Sequence, residues 1–267
     1  MDSREALRAL YDREMRQDPV PDPGSRVERL GPIVRVLGKE NYVIFSQLDA
    51  SNARTVVREQ VEYFVRARTE VEWKWFGHDR PADLDAILAA EGFVPDEPET
   101  LLVWDLREGL PGGTPPPGAD LRRVSDANGL RDAVTAAAAA FAPEEKLFSE
   151  RMAERLRDPA LGMFVAYVDG VPVATGRVEM TPGRSFAGLW GGGTSPAYRH
   201  RGIYRGLVAV RAALAREAGF RYLTVDARES SRPILERIGF VPLTATRGWV
   251  LRPGSGEPAS SPAPTRA

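Results

Sequence analysis

Apolar and polar positions alternate in ways that divide the chain into elements. MFVAYVDGVPVATGRVEM (Met163–Met180) sets Asp169-Gly170 between two valine-rich runs, the strongest short-range signal for a β-hairpin. LVAVRAALAREAGF, from Leu207, has the apolar spacing of an amphipathic helix, and RYLTVDA after it reads as a buried strand. SSRPILERIGFVPL then reads as a short helix: Ser230 or Ser231 can cap it, Pro233 suits its first turn, and Gly239 stops it before another strand. Upstream, ADLRRV is a strand, followed by helical patterns in DANGLRDAVTAAAAAFAP and EEKLFSERMAERLRD; Phe141, Phe148 and Met152 are assigned to packing.

The first half repeats part of this order. ILAAEGFVP (Ile87–Pro95) and ILERIGFVP (Ile234–Pro242) share Ile-Leu and Gly-Phe-Val-Pro at one internal spacing. Around them, VEWKWF answers RYLTVDA, Asp79 answers Asp226, and TLLVWDL answers GWVL, so a duplicated unit is expected. The Pro/Gly stretch from Arg107 to Asp120 marks a semi-rigid linker, and the polar segment from Gly254 to Ala267 reads as a disordered tail. The expected division is a domain over 1–106, a linker over 107–118, a second domain over 119–252 and a tail over 253–267. Trp73 and Trp75 are expected in a core or interface.

Composition narrows the chemistry. The 267 residues carry a formal net charge of −1 and no cysteine. Nucleic acid and anionic membranes are therefore not expected partners, and disulfides, thiolate metal sites and a Cys nucleophile are excluded. With His78 and His200 the only histidines, neither a His-based metal site nor a Ser-His-Asp triad is expected. No apolar run reaches membrane-spanning length and the N-terminus is charged, so a soluble cytoplasmic protein is expected.

The most informative stretch is LWGGGTSPAYRHRGIYRG (Leu189–Gly206), a glycine-rich strand end that runs through Pro196 into an arginine-rich turn and straight into a helix. N–H groups at a helix start lack intrahelical partners and sit at the positive end of the helix dipole, so this order of parts builds an anion cradle. Gly202 allows close backbone approach, and Arg199, Arg201 and Arg205 add charge. Neither a Walker loop nor a dinucleotide fingerprint is present.

The stretch resembles the acyl-CoA loop of the GNAT superfamily of N-acetyltransferases, whose pattern Arg/Gln-x-x-Gly-x-Gly/Ala follows the fourth strand. Here it reads Arg199-His200-Arg201-Gly202-Ile203-Tyr204, departing at Tyr204. The order of elements over about residues 119–252, ending in Gly239-Phe240, is also similar. The resemblance implies an α/β fold of two GNAT-like domains, each a mixed, mostly antiparallel sheet flanked by helices. In the first, the corresponding turn LDASNART has no glycine, and Asp49 or Ser51 can cap the helix, so that half lacks the loop.

The implied activity is transfer of an acyl group, acetyl by expectation, from its CoA thioester to a primary amine by direct attack, without a metal. Gly193, Thr194 and residues 199–205 would bind the cofactor. A backbone N–H at a bulge near Gly191–Thr194 would serve the thioester oxygen, and Glu179 or Asp226 would accept the amine proton. Each carboxylate can equally be solvated or salt-bridged. The tyrosine that many members place four residues before the Gly of Gly-Phe is Leu235 here. The alternative is a non-catalytic CoA-binding sensor or interaction module. A small-molecule amine is expected over a protein acceptor, and the tandem arrangement is compatible with a monomer.

Overall fold

The structure is a computed structural model that describes residues 3–141, 152–153 and 155–254. Helix α1 (Arg4–Tyr11) runs into a π-helical turn (Asp12–Gln17), followed by β1 (Arg26–Leu30), β2 (Ile33–Leu37) and β3 (Tyr42–Ser46). Next come α2 (Ala53–Ala67), β4 (Val71–Phe76), α3 (Leu84–Ala90), β5 (Val94–Pro95) and β6 (Glu99–Asp105). After the Pro/Gly stretch lie β7 (Ala119–Arg123), α4 (Ala127–Ala140), β8 (Leu161–Val168), β9 (Val171–Glu179) and β10 (Phe186–Thr194). The last elements are α5 (Ile203–Glu217), β11 (Tyr222–Arg228), α6 (Arg232–Ile238) and β12 (Val241–Leu251).

Two compact units result, and neither is bounded by the linker. One combines Met1–Met15 with Glu99–Leu243, the other Arg16–Pro98 with Thr244–Ala267. The difference from the expected boundaries comes from the strands that follow the two short helices. In the first unit β6 pairs antiparallel with β11 from Tyr222↔Asp105 to Arg228↔Glu99. In the second, β12 pairs antiparallel with β4 from Thr246↔Phe76 to Leu251↔Val71. The strand after α3 thus pairs within the first unit, and most of the strand after α6 within the second, each covering an edge that would otherwise leave backbone groups unpaired.

The unit containing β1–β5 orders its strands β1-β2-β3-β4-β12, antiparallel except for β3 beside β4. Val57 and Phe64 of α2, Leu84 and Leu88 of α3, Trp73 and Trp249 form its core. Trp73 meets Phe93 edge-on at 6.2 Å, and Trp75 packs against the same core. At the start of α2 the Asp49 carboxylate accepts from the Ser51 N–H and hydroxyl and from the Asn52 N–H, while Asn52 occupies the N-cap. A carboxylate already sits at that helix start.

The other unit orders its strands β6-β11-β10-β9-β8-β7, antiparallel except for β10 beside β11. The Asp169-Gly170 hairpin forms as expected, with φ of 51° and 78° suited to a type I′ turn. Strand periodicity places the helices. Leu161, Met163, Val165 and Tyr167 of β8 pack with Leu130 and Ala133 of α4, whereas Phe164 and Ala166 pack with Ile203 and Leu207 of α5. Helices α4 and α5 therefore cover opposite faces. Met152 joins the α4 cluster, Phe141 is exposed, and Phe148 and most of the second helix expected in this region lie outside the described residues.

The Pro/Gly stretch lies against α5. A side chain on Gly112 would strike the Arg205 carbonyl oxygen at 2.4 Å, and one on Gly206 would meet Pro115 at 3.1 Å. Arg205 ties the two together from Nε to the Gly112 carbonyl oxygen, 3.2 Å.

Candidate functional site

The glycine run in β10 makes a bulge. Trp190 pairs with Arg177 of β9 and Gly193 with Thr175, so Gly191 and Gly192 together oppose the single residue Gly176. Gly191 takes φ of 55°, the left-handed conformation that the first position of such a bulge requires of glycine. Bulging disrupts the ladder locally and leaves backbone groups of β10 free to meet a ligand.

Beside the bulge, β10 and β11 part. Their parallel pairing runs only from Phe186↔Tyr222 to Gly188↔Thr224, although β10 continues to Thr194 and β11 to Arg228. Val225, like Leu223 and Ala227, joins the cluster under α5, so the alternation directs Asp226 to the opposite face.

The turn from β10 into α5 has the shape expected of an anion cradle. Gly202 is the N-cap with φ of 82°, and no side chain caps the helix. Among the described residues no hydrogen bond occupies the N–H groups from His200 to Arg205; the first donor used is that of Gly206, to the Gly202 carbonyl oxygen. A side chain on Gly202 would find only Pro116 within 4 Å, at 3.9 Å, so the cradle is open. The hydroxyl of Thr194, buried at the end of β10, has no hydrogen-bond partner. Free donors, an open approach and an orphaned hydroxyl fit a polyanionic ligand with a polar arm.

The arginines divide their roles. Arg199 donates from Nε to the Thr194 carbonyl oxygen at 3.0 Å, fixing the turn. Arg201 lies over Tyr198 and donates to the Ala197 carbonyl oxygen at 3.3 Å. His200 takes a left-handed φ of 64° and is exposed, whereas Ile203 points into the core and contributes only its backbone. Gly193 is turned away from the cradle: a side chain there would strike Phe141 at 2.4 Å, on the α4 face.

The two candidate carboxylates lie on different strands. Glu179 is held by Arg177 at 2.9 Å and by Arg155 at 3.4 Å, the salt-bridged alternative open in the sequence. Asp226 lies opposite Leu101 of β6, two residues past the last pairing of β10 with β11. Leu235 is fully buried under α5.

Sequence reasoning missed the interior of the site. Arg211, on the buried face of α5, is 1% exposed and donates to the carbonyl oxygens of Leu207 at 2.8 Å and Arg177 at 3.2 Å. Burial lowers its pKa to about 10. The detectable signal was a charged residue on the apolar stripe of Leu207, Val208, Ala212 and Ala215. Tyr204 also turns inward, its ring packed against the cluster under α5. Among the described residues no group of His, Cys, Asp and Glu could hold a metal, and no helix is long and apolar enough to cross a membrane.

Residues 130–240, which include the bulge, the parting strands and the cradle, match the family model described as "Acetyltransferase (GNAT) family". This stretch is similar to GNAT acetyltransferase domains. The fold of the chain is similar to that of a GCN5-related N-acetyltransferase from Kribbella flavida, with a TM-score of 0.67 and 18% identity over 92% of this chain and 93% of that one. A tandem GNAT protein from the clavulanic acid biosynthesis pathway gives a TM-score of 0.59 and 15% identity over 89% of this chain and 86% of that one. A GCN5-related N-acetyltransferase from Sphaerobacter thermophilus gives 0.59 and 17% over 92% and 85%. At these identities the similarity is one of fold. No curated protein matches the sequence. GNAT acetyltransferases take acetyl-CoA as co-substrate.

Proposed function

We propose that the chain is an acyl-CoA-dependent N-acyltransferase, moving acetyl from acetyl-CoA to a primary amine by direct attack. The observation that carries this reading is the start of α5: uncapped, left-handed at Gly202, with free N–H groups from His200 to Arg205, immediately after a bulged strand. The CoA phosphates would take those N–H groups and the charges of Arg199, Arg201 and Arg205. The pantetheine arm would run along β10 past Thr194, whose unpartnered hydroxyl offers it a hydrogen bond.

Each chemical demand then has a candidate. An alkylamine with a pKa near 10 must lose a proton before attack, and Asp226 is assigned as acceptor, directly or through water. Glu179, engaged by two guanidinium groups, is assigned to holding Arg177 and Arg155 in place. Charge growing on the thioester oxygen is met by a backbone N–H of the Gly191–Gly192 bulge. The unit built from β1–β5 is proposed as a GNAT-like copy without a donor loop, since Asp49 fills the equivalent helix start. A small-molecule amine is the proposed acceptor class.

Thiol release from acetyl-CoA across a panel of primary amines tests the reading. Amine-dependent release by the full chain is expected. Binding of acetyl-CoA without release for any amine supports the non-catalytic alternative, and absence of binding rejects both.

A further inference from the structure

The start of α5 holds a phenol as well as an anion cradle. Tyr204 packs its ring against the cluster that contains Leu189, Val208 and Leu235, on the α5 side of the parting strands. A methyl placed on Gly192 of the bulge would lie 3.1 Å from Tyr204 Cε2 and 3.3 Å from Arg211 Nη2, so ring and guanidinium converge on the same bulge residue. The phenol lies beside Ser231, whose hydroxyl donates to the Arg228 carbonyl oxygen at 3.2 Å.

Arg211 gives this grouping its meaning. It is buried, two backbone carbonyls accept from it, and among the described residues no carboxylate is paired with it. A buried guanidinium without a counter-charge is costly to maintain. Beside it lie the Tyr204 phenol and a second guanidinium, Arg177; burial raises the phenol's pKa and Arg211 draws it back down. An anion formed transiently on that oxygen would have its counter-ion in place.

We propose that Tyr204 is the proton donor to the departing CoA sulfur, with Arg211 as the positioning residue that steadies the phenolate; this rests on the acyl-CoA reading above. As the carbon–sulfur bond of the tetrahedral intermediate breaks, its electron pair passes to sulfur and the phenol proton follows, giving the free thiol. The phenolate stays beside Arg211 and regains a proton through Ser231 and solvent. The amine proton leaves separately to its own acceptor. Leu235, where an acid would be expected, is filled with hydrocarbon, and this assignment supplies the missing proton from another helix.

The test needs no acceptor and uses the full chain with CoA itself. Thermal shift with CoA comes first: no stabilisation of the wild type removes the acyl-CoA reading and this assignment with it. With CoA bound, the thiol is titrated by its ultraviolet thiolate absorbance in the wild type and in Tyr204→Phe. A phenol donating to sulfur stabilises the thiolate, so Tyr204→Phe should keep its CoA affinity and lower the thiol ionisation constant about tenfold. Arg211→Lys should retain the wild-type titration and Arg211→Met should shift it in the same direction as Tyr204→Phe. An unchanged titration in Tyr204→Phe overturns the assignment, as does a loss of CoA affinity with no shift, which would make the ring a wall of the site.

Discussion

Arg199 Nε lies 3.0 Å from the carbonyl oxygen of Thr194, and this bond closes the turn between β10 and α5. The arginine therefore shapes the cradle as well as charging it. Arg199→Ala should weaken acetyl-CoA binding about tenfold, the effect of losing one charge-assisted hydrogen bond. Calorimetric titration should show this while the melting temperature of the unliganded protein changes little.

Gly176 faces the bulge with no room to spare. A methyl there would sit 2.9 Å from Arg211 Cζ and Nη1, and Arg211 is itself held by two carbonyl oxygens. Gly176→Ala should cost about 1–3 kcal/mol through overpacking. Denaturant unfolding measures it, and an unchanged midpoint would show that Arg211 is free to move.

In the unit built from β1–β5, Arg16 donates from Nη2 to both carboxylate oxygens of Asp79, at 2.7 and 2.9 Å, and its guanidinium lies 3.8 Å over the Phe76 ring. Burial pushes the Asp79 carboxyl up and Arg16 pulls it back. Arg16→Met strands a buried carboxylate and should cost about 3–5 kcal/mol, whereas Arg16→Met with Asp79→Leu should cost less than the single change. A double-mutant cycle in urea checks the inversion.

Asp105 carries a pH dependence of known sign. Burial pushes its carboxyl up, but hydrogen bonds from the Arg107 side chain and N–H, with the charges of Arg107 and Arg221, outweigh it and hold the pKa below 3.8. The folded state thus binds the proton less readily than the unfolded one. The stability this gives is complete above the unfolded value and is lost as pH falls from about 3.8 through the folded value. The stability gap between wild type and Asp105→Asn, measured by urea unfolding, should be full at about pH 6 to 7 and should shrink only as pH falls from about 3.8 through the folded value.

Local chemistry was legible in the sequence and non-local pairing was not. The hairpin at Asp169-Gly170, the stop at Gly239 and the start of α5 each rest on residues within a few positions of one another. The bulge was foreshadowed by three consecutive glycines, though Gly176 opposite it belongs to another strand. The exchange of β6 and β12 was hidden because TLLVWDL and GWVL are similarly apolar, so nothing local says which edge each will cover. Arg155 meets Glu179 across 24 residues of chain, a pairing that spacing cannot reveal. Burial of Arg211 and inward rotation of Tyr204 follow from packing around Gly192, not from their own neighbours.

The uncapped start of α5 is the proposed seat of the CoA phosphates. Thermal shift of the full chain with acetyl-CoA, with ATP as control, tests it most directly when wild type and Gly202→Glu are compared. At φ of 82° the substitution costs about 1 kcal/mol or more of strain, leaving a folded protein with a carboxylate in the cradle. Acetyl-CoA, and not ATP, should stabilise the wild type, and neither should stabilise the folded variant. Equal stabilisation of both proteins, or none of the wild type, would contradict this.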